Sequence, residues 1–550
     1  MSGAGGAAPR RRSEDEKDAQ TVKKYLDIKA AVREKQAKDQ RRMDKEKKAK
    51  SQSDRLQSLG SAFSGLATAK TKEIEKLKQS EAARQLLKAK TTTRHQLDGQ
   101  GRELITIGGR TAPVDRHMEV ASASTSDLRL LFRAMKRAGT AHLTLKGCCD
   151  PKVDAQDSIG VLSDWLQLLP DLKKLEVISS YLSFKELKPL AGALAQIDNV
   201  TLLNLSMNPL GGDGASELAH ALMSNDQCKL AELRLDACDI DDKGGTELGN
   251  FVKGNKTLEK LFISENKIGP IGCTCIAEGA AGHPKLAVID ISRNAIRTRG
   301  VNAFAKPLLA GAPLQKLSLA DNQADGDCRE FGEAVGQSTR LRTLKVSTNP
   351  IGDSLLVGLG DNMGKDTALE YLDAGANEVS DYAIQYLTRG LQKNSTVNYI
   401  NLSGNRLSDQ SGIYFGKALQ ENSSLATLLL AYNAIMDDGL EALIQGLKGN
   451  KSLKMLDLSA NIIRTSRPLG KLATVLSEED ESLQPGLETI YLRESAIQDE
   501  MLKPVAMSLG TNKALKVLDV QDNELNFFPV RKADAHRVIG LDKQKRHAKR

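Results

Sequence analysis

The sequence predicts an α/β solenoid of about fourteen strand–helix units, preceded by basic, charged helices. Two observations carry that prediction. Val397–Asn405 reads VNYINLSGN, and the pattern returns as LATLLLAYN at Leu425–Asn433 and LKMLDLSAN at Leu453–Asn461. Each fits L-x-x-L-x-L-x-x-N, with an aliphatic residue two places on at Leu407, Ile435 and Ile463. The asparagines Asn377, Asn405, Asn433 and Asn461 stand 28 residues apart, and a fixed period of that length marks stacked repeats. A stack also removes the size limit of a single core, because each unit buries its apolar face only against its neighbours.

The chain divides in order into four parts. Residues 1–105 read as a basic arm, helical or disordered, with Ser13 and Glu16 in a capping-box spacing and a second helical stretch from Thr71 to Lys90. Its apolar residues Val22, Tyr25, Leu26 and Val32 are too few to sustain the heptads of a coiled coil. Residues 106–140 read as linker and N-terminal cap, 141–530 as the solenoid, and 531–550 as a basic tail. Counted by the residue that ends each motif, the units fall at Cys148, Ser180, Asn208, Cys238, Asn266, Asn294, Asn322, Asn349, Asn377, Asn405, Asn433, Asn461, Ser495 and Asn523. The wide step from Asn461 to Ser495 places an acidic surface insertion near Ser477–Gln484, and Phe527–Pro529 is expected to cap the end.

Charge follows the same division. Residues 1–100 carry 25 basic and 14 acidic side chains, residues 531–550 carry 8 and 2, and the remainder carries 45 and 54. An acidic solenoid therefore sits between basic ends, which suits an acidic partner or filament at the termini. The tail lacks aromatic interleaving, so nucleic acid is the less favoured partner. No run of 18 apolar residues suggests a membrane span, the N-terminus has no apolar h-region, and seven cysteines without framework spacing suit a reducing, cytoplasmic setting.

One repeat explains itself physically. In Leu258–Asn266, Leu261 and Ile263 point inward as a short strand requires, while Phe262 and Ser264 face the other way. The amide of Asn266 then satisfies backbone groups freed where strand becomes loop, a need an apolar side chain leaves unmet. Cysteine and serine substitute in part at Cys148, Cys238, Ser180 and Ser495. A helix follows, as at Ser411–Gln420, expected to turn Ile413, Phe415 or Gly416, and Leu419 toward the sheet. Helices are wider than strands, so the stack curves with the strands on the concave side.

The unit L-x-x-L-x-L-x-x-N/C-x-L followed by G-x-x-x-L-x-x-x-L resembles the ribonuclease-inhibitor-like class of leucine-rich repeats, over roughly residues 140–527. The resemblance implies a horseshoe whose concave face binds protein. It leaves function open, since the class includes ribonuclease inhibitor, NACHT-type immune receptors, Ran GTPase-activating protein, tropomodulin-like actin regulators and a ciliary dynein regulatory subunit. The long charged segments beside the repeats favour a non-catalytic scaffold tethered to a cytoskeletal or ciliary assembly. A small-GTPase-activating protein, an actin-filament regulator and a ribonucleoprotein component are the alternatives.

No catalytic constellation, cofactor motif or metal site stands above the repeat consensus. Gly249–Thr257 approaches a phosphate-binding loop, but Asn255 interrupts the required G-K-[ST], and the same GNK recurs at Gly449–Lys451 as a connector. Cys273 and Cys275 lack a second ligand pair for zinc. The recurring aspartates Asp290, Asp373, Asp457 and Asp519 are expected to line the concave face. Among them lie Tyr371, Tyr399, Leu429, Tyr432, Met455 and Tyr491, on neighbouring repeats of a chain with only 4% aromatics. With Asp373 and Asp457 they form a candidate protein-binding patch. The competing reading is that the tyrosines merely stack on one another.

Overall fold

A computed structural model describes residues 96–98, 100, 102–107, 110–121, 125–148, 155–525 and 535–539. The basic arm through residue 95, with its capping box and second helix, lies outside the described residues. So do Phe527–Pro529, Cys149 and most of the basic tail.

Among the described residues, sixteen strands pair in one sheet, strictly in chain order from His117–Ala121 to Val538–Ile539. Every pairing in this sheet is parallel, as a strand–helix repeat demands. The fourteen units read from the sequence supply the strands from His142–Lys146 to Val517–Asp519, and one further strand joins at each end. A separate three-stranded antiparallel sheet, Gln96–Leu97, Glu103–Ile107 and Arg110–Pro113, precedes them.

The pairing register places like residues on like. Leu344, Leu372, Ile400, Leu428, Leu456, Ile490 and Leu518 are consecutive partners and all fully buried. They pack beneath helices such as Asp409–Glu421, whose buried side is Ser411, Gly412, Phe415, Gly416, Ala418 and Leu419. Ile413, expected on that side, is only half-buried. The stripe is turned because Gly412 and Gly416 let the next helix, Asp437–Gly446, approach closely. A Cβ on either would stand 2.3 Å from the carbonyl oxygen of Gly439 or Ala442.

Three polar registers tie the repeats together. The first is the expected ladder: Asn208 Oδ1 accepts from Ser180 N (2.8 Å) and Leu182 N (3.1 Å), and its Nδ2 donates to Val177 O (2.7 Å) and Leu205 O (2.8 Å). Cys238 takes the same place, its Sγ donating to Leu205 O at 3.2 Å, and burial pushes this thiol up to about 12. The second runs where helix returns to strand. Asn422 Oδ1 accepts from Ser424 N and Leu425 N, and Nδ2 donates back to Leu391 O and Asn394 O. Asn394 and Asn450 repeat the arrangement. The third caps helices across the repeat boundary: Asp381 accepts from Ser408 N and Ser411 N, and Asp409 from Met436 N and Gly439 N. Two amides at each of these helix starts are thus satisfied by the repeat before it.

At the C-terminal end, five residues of the run read as a basic tail belong to the stack. Val538 is buried against the sheet, and the Arg537 guanidinium donates to the carbonyls of Leu509 (2.7 Å), Asn512 (3.0 Å) and Leu515. The insertion after Leu476 is held by Lys451 Nζ, which donates to Glu481 O (2.6 Å) and Gln484 O (2.7 Å).

Candidate protein-binding face on the sheet

The strand face away from the helices carries two columns of side chains. One runs Lys260, Val288, Lys316, Thr343, Tyr371, Tyr399, Thr427, Met455, Thr489 and Val517, each in register with the next. The other runs Phe262, Asp290, Ser318, Lys345, Asp373, Asn401, Leu429, Asp457, Tyr491 and Asp519. The structure therefore brings Tyr371, Tyr399 and Met455 into one column and Asp373, Leu429, Asp457 and Tyr491 into its neighbour. Tyr432 stands apart, on the turn after its strand.

The turn explains Tyr432. The residue before each ladder position adopts the left-handed conformation, as at Ala376 (φ +54°), Gly404 (φ +71°), Tyr432 (φ +55°) and Ala460 (φ +53°). That backbone swings the side chain off the core, so Tyr432 is 48% exposed and its hydroxyl donates to Glu494 Oε1 at 3.3 Å. Ile462, after the next ladder residue Asn461, is equally exposed.

Tyr371 and Tyr399 stack with ring centroids 4.1 Å apart and planes within 8°. Burial and the hydrogen bond with Tyr399 push the Tyr371 phenol up. Stacking thus occurs, yet it uses only one face of Tyr399. Asp373 Oδ1 accepts from Asn401 Nδ2 at 2.9 Å and Oδ2 from Ser347 Oγ at 3.2 Å. Asp457 Oδ1 accepts from Ser459 N at 2.9 Å.

The recurring aspartates owe their position first to the backbone. Asp290, Asp457 and Asp519 each accept from the amide two residues on, closing the turn that leaves the strand, and Asn401 and Asn204 do the same. Asp519 shares this column with the other three aspartates but is not open to solvent. It is fully buried beneath Arg493, whose Nη2 lies 2.5 Å from its carboxylate.

Toward the N-terminus the same face is polar and satisfied within itself. His142 Nε2 meets Glu176 Oε1 at 2.6 Å, Asn204 Nδ2 donates to Glu176 Oε2 at 2.8 Å, and His117 stacks on His142 at 3.9 Å. Partial burial pushes the Glu176 carboxyl up, but the hydrogen bonds from Asn204 and His142 outweigh it and hold the group below its ordinary value. Arg234 and Lys260 both pair with Glu232, at 3.2 Å and 3.1 Å. Among the described residues, Asp373 and Asp457 have no Lys or Arg within ion-pair distance. In the C-terminal half, half-buried apolar side chains stand beside Asp373 and Asp457, neither of which forms an ion pair among the described residues.

The other sequence candidates have structural placements. Asn255 Oδ1 accepts from Thr257 N (2.8 Å) and Leu258 N (2.7 Å), so GNKT is a connector of the second register. Cys273 is fully buried on the helix Pro270–Ala281, where burial pushes its thiol up, and Cys275 is half-buried on the same helix. Sequence reading places Asn401 on this face beside Tyr399 but misses Thr427 and Arg493, which also shape the patch. The pairing register sets Thr427 between Tyr399 and Met455, as the 28-residue period implies.

The leucine-rich repeat family model matches residues 199–219, 254–277, 393–416 and 421–443, each spanning part of a strand–helix unit described above. Pig ribonuclease inhibitor is 27% identical over 193 residues, 34% of this chain and 42% of that protein. This is a leucine-rich-repeat protein of the ribonuclease-inhibitor-like class. A human protein with NACHT, LRR and PYD domains, number 13 of its series, is 29% identical to the leucine-rich-repeat chain over 175 residues, 32% of this chain and 17% of that one. The chain thus spans under half the length of these two curated relatives. Among solved structures, that of the yeast Rad7–Elc1 complex aligns with 76% of the leucine-rich-repeat chain and 94% of its own, at 16% identity and a TM-score of 0.40.

Proposed function

We propose that this leucine-rich-repeat protein is a non-catalytic scaffold that binds a polypeptide partner on the sheet face centred on Tyr399, Leu429, Tyr432 and Met455. The observation carrying the reading is the contrast along one face. The N-terminal strands carry internal pairs such as His142–Glu176 and Lys260–Glu232, whereas the C-terminal strands combine half-buried apolar side chains with Asp373 and Asp457, which form no ion pair among the described residues. Such a patch gains from desolvation at its centre and keeps polar groups for its rim. The basic termini act as tethers to an acidic surface, a reading that rests on the charge division of the sequence, and a cytoskeletal or ciliary assembly as that surface rests on the family resemblance alone.

A photo-crosslinking amino acid at position 399, compared with one at Met507 on the helix side, tests the reading in cell extract. Met507 is 73% exposed and serves as the surface control. The proposal expects a discrete crosslinked partner from position 399 and none of that mass from position 507. Identical adducts from both positions would contradict it.

A further inference from the structure

The open face supplies its own cations to its aromatic rings. The Arg234 guanidinium lies 4.2 Å from the Phe262 ring centre, Lys345 Nζ lies 5.9 Å from that of Tyr371, and Arg493 lies 5.1 Å from that of Tyr491. Arg493 also pairs with Asp519, so Tyr491, Asp519 and Arg493 form a complete aromatic–carboxylate–guanidinium set. Tyr399 is the exception. Tyr371 covers one face of its ring, and among the described residues no Lys or Arg stands over the other.

That second face looks along the column toward Thr427, and Met455 follows in register. Threonine is short, so the column is lowest between the Tyr399 ring and the Met455 side chain, and that low point is the slot considered for a ligand. Their strands are two steps apart, roughly 9.6 Å at about 4.8 Å per step. A flat group resting about 3.5–4 Å from the ring fits that gap. Leu429 borders the slot in the neighbouring column, and Asp457 follows Leu429 on the Met455 strand.

We infer that this slot receives one arginine side chain of a polypeptide partner. Its guanidinium stacks on the free face of Tyr399 and pairs with Asp457, and its methylenes lie along Met455 and Leu429. The occupant repeats in trans the set that Arg493 completes in cis. Arginine meets both demands because its cation is planar and presents a fork of donors, whereas lysine offers a compact, strongly hydrated point charge. The inference rests on the protein-binding reading of this face and names the partner's anchor.

The test uses the full chain with isotopically labelled methionine methyls, titrated with an acetylated, amidated Gly-Arg-Gly peptide and its lysine, citrulline and leucine counterparts. The arginine peptide should give a saturable shift of the Met455 methyl, with citrulline at least about tenfold weaker, a factor worth ~1.4 kcal/mol. Tyr399→Leu and Asp457→Asn should each abolish that preference while the other methionine methyls keep their positions. Equal response to lysine, citrulline or leucine, or no response to any peptide, overturns the arginine slot. If the slot fails while crosslinking at position 399 still captures a partner, only the anchor is wrong; if both fail, the face itself is.

Discussion

His283 stands where the second register elsewhere carries asparagine, and it does half of that work. Its Nδ1 accepts from Lys285 N (3.1 Å) and Leu286 N (2.9 Å), as the connector asparagines do with their amide oxygen. Nε2 must then carry the proton, and it is buried with no described acceptor. Burial first, then Lys256 and Lys285, pull the imidazole from 6.5 down to about 4. The folded state therefore binds fewer protons than the unfolded one between those values. This contribution is complete above pH 6.5 and is lost as pH falls toward 4, by up to about 3 kcal/mol. His283→Asn should remove that slope and add ~1 kcal/mol at neutral pH by restoring a donor to the preceding repeat. Urea unfolding of both proteins at pH 4.5 and 7 checks it; a variant with the parent's pH dependence would refute the assignment.

At the scale of elements, helix packing depends on glycine where a lone helix would reject it. Glycine inside an exposed helix costs up to about 1 kcal/mol relative to alanine. Gly416 reverses that sign, since a Cβ there would stand 2.3 Å from Ala442 O and press the helix Asp409–Glu421 off its neighbour. Gly416→Ala should destabilise by about 1–3 kcal/mol. Gly254→Ala, where a Cβ meets nothing within 4 Å, should not. Thermal unfolding of the pair decides between packing and propensity. Much of this architecture was legible beforehand. The 28-residue asparagine spacing gives the strands, the inward layer and the first ladder, because each repeats a chemical need in fixed register. The other two registers were present as the same spacing at Asn394, Asn422 and Asn450, and at Asp381, Asp409 and Asp437. Their role is not legible within one repeat, because their partners lie in the adjacent one. The burial of Asp519 was illegible for the same reason: it depends on Arg493, one repeat earlier.

At the scale of the whole chain, the repeats provide a scaffold that any member of the class would share, and the surface columns make this one distinct. Tyr371, Tyr399 and Met455 were identifiable as surface positions from strand alternation alone. The division of the patch into two columns needed the pairing register, whereas the 28-residue period already places Thr427 between Tyr399 and Met455. The proposed polypeptide-binding role belongs to the C-terminal half of the face, and the N-terminal half, with its His142–Glu176 and Glu232 pairs, stays out of the contact. Tyr399, Tyr432 and Tyr491 are half-buried or exposed, so removing their rings leaves the aliphatic layer beneath intact. The most direct measurement is a quantitative affinity-capture comparison of the native chain with the triple variant Tyr399→Ala, Tyr432→Ala, Tyr491→Ala, each first shown to unfold at the same temperature within a few degrees. The account predicts that at least one abundant partner is lost from the variant while the rest are unchanged. An identical set of partners, captured in equal amounts by both, would contradict it.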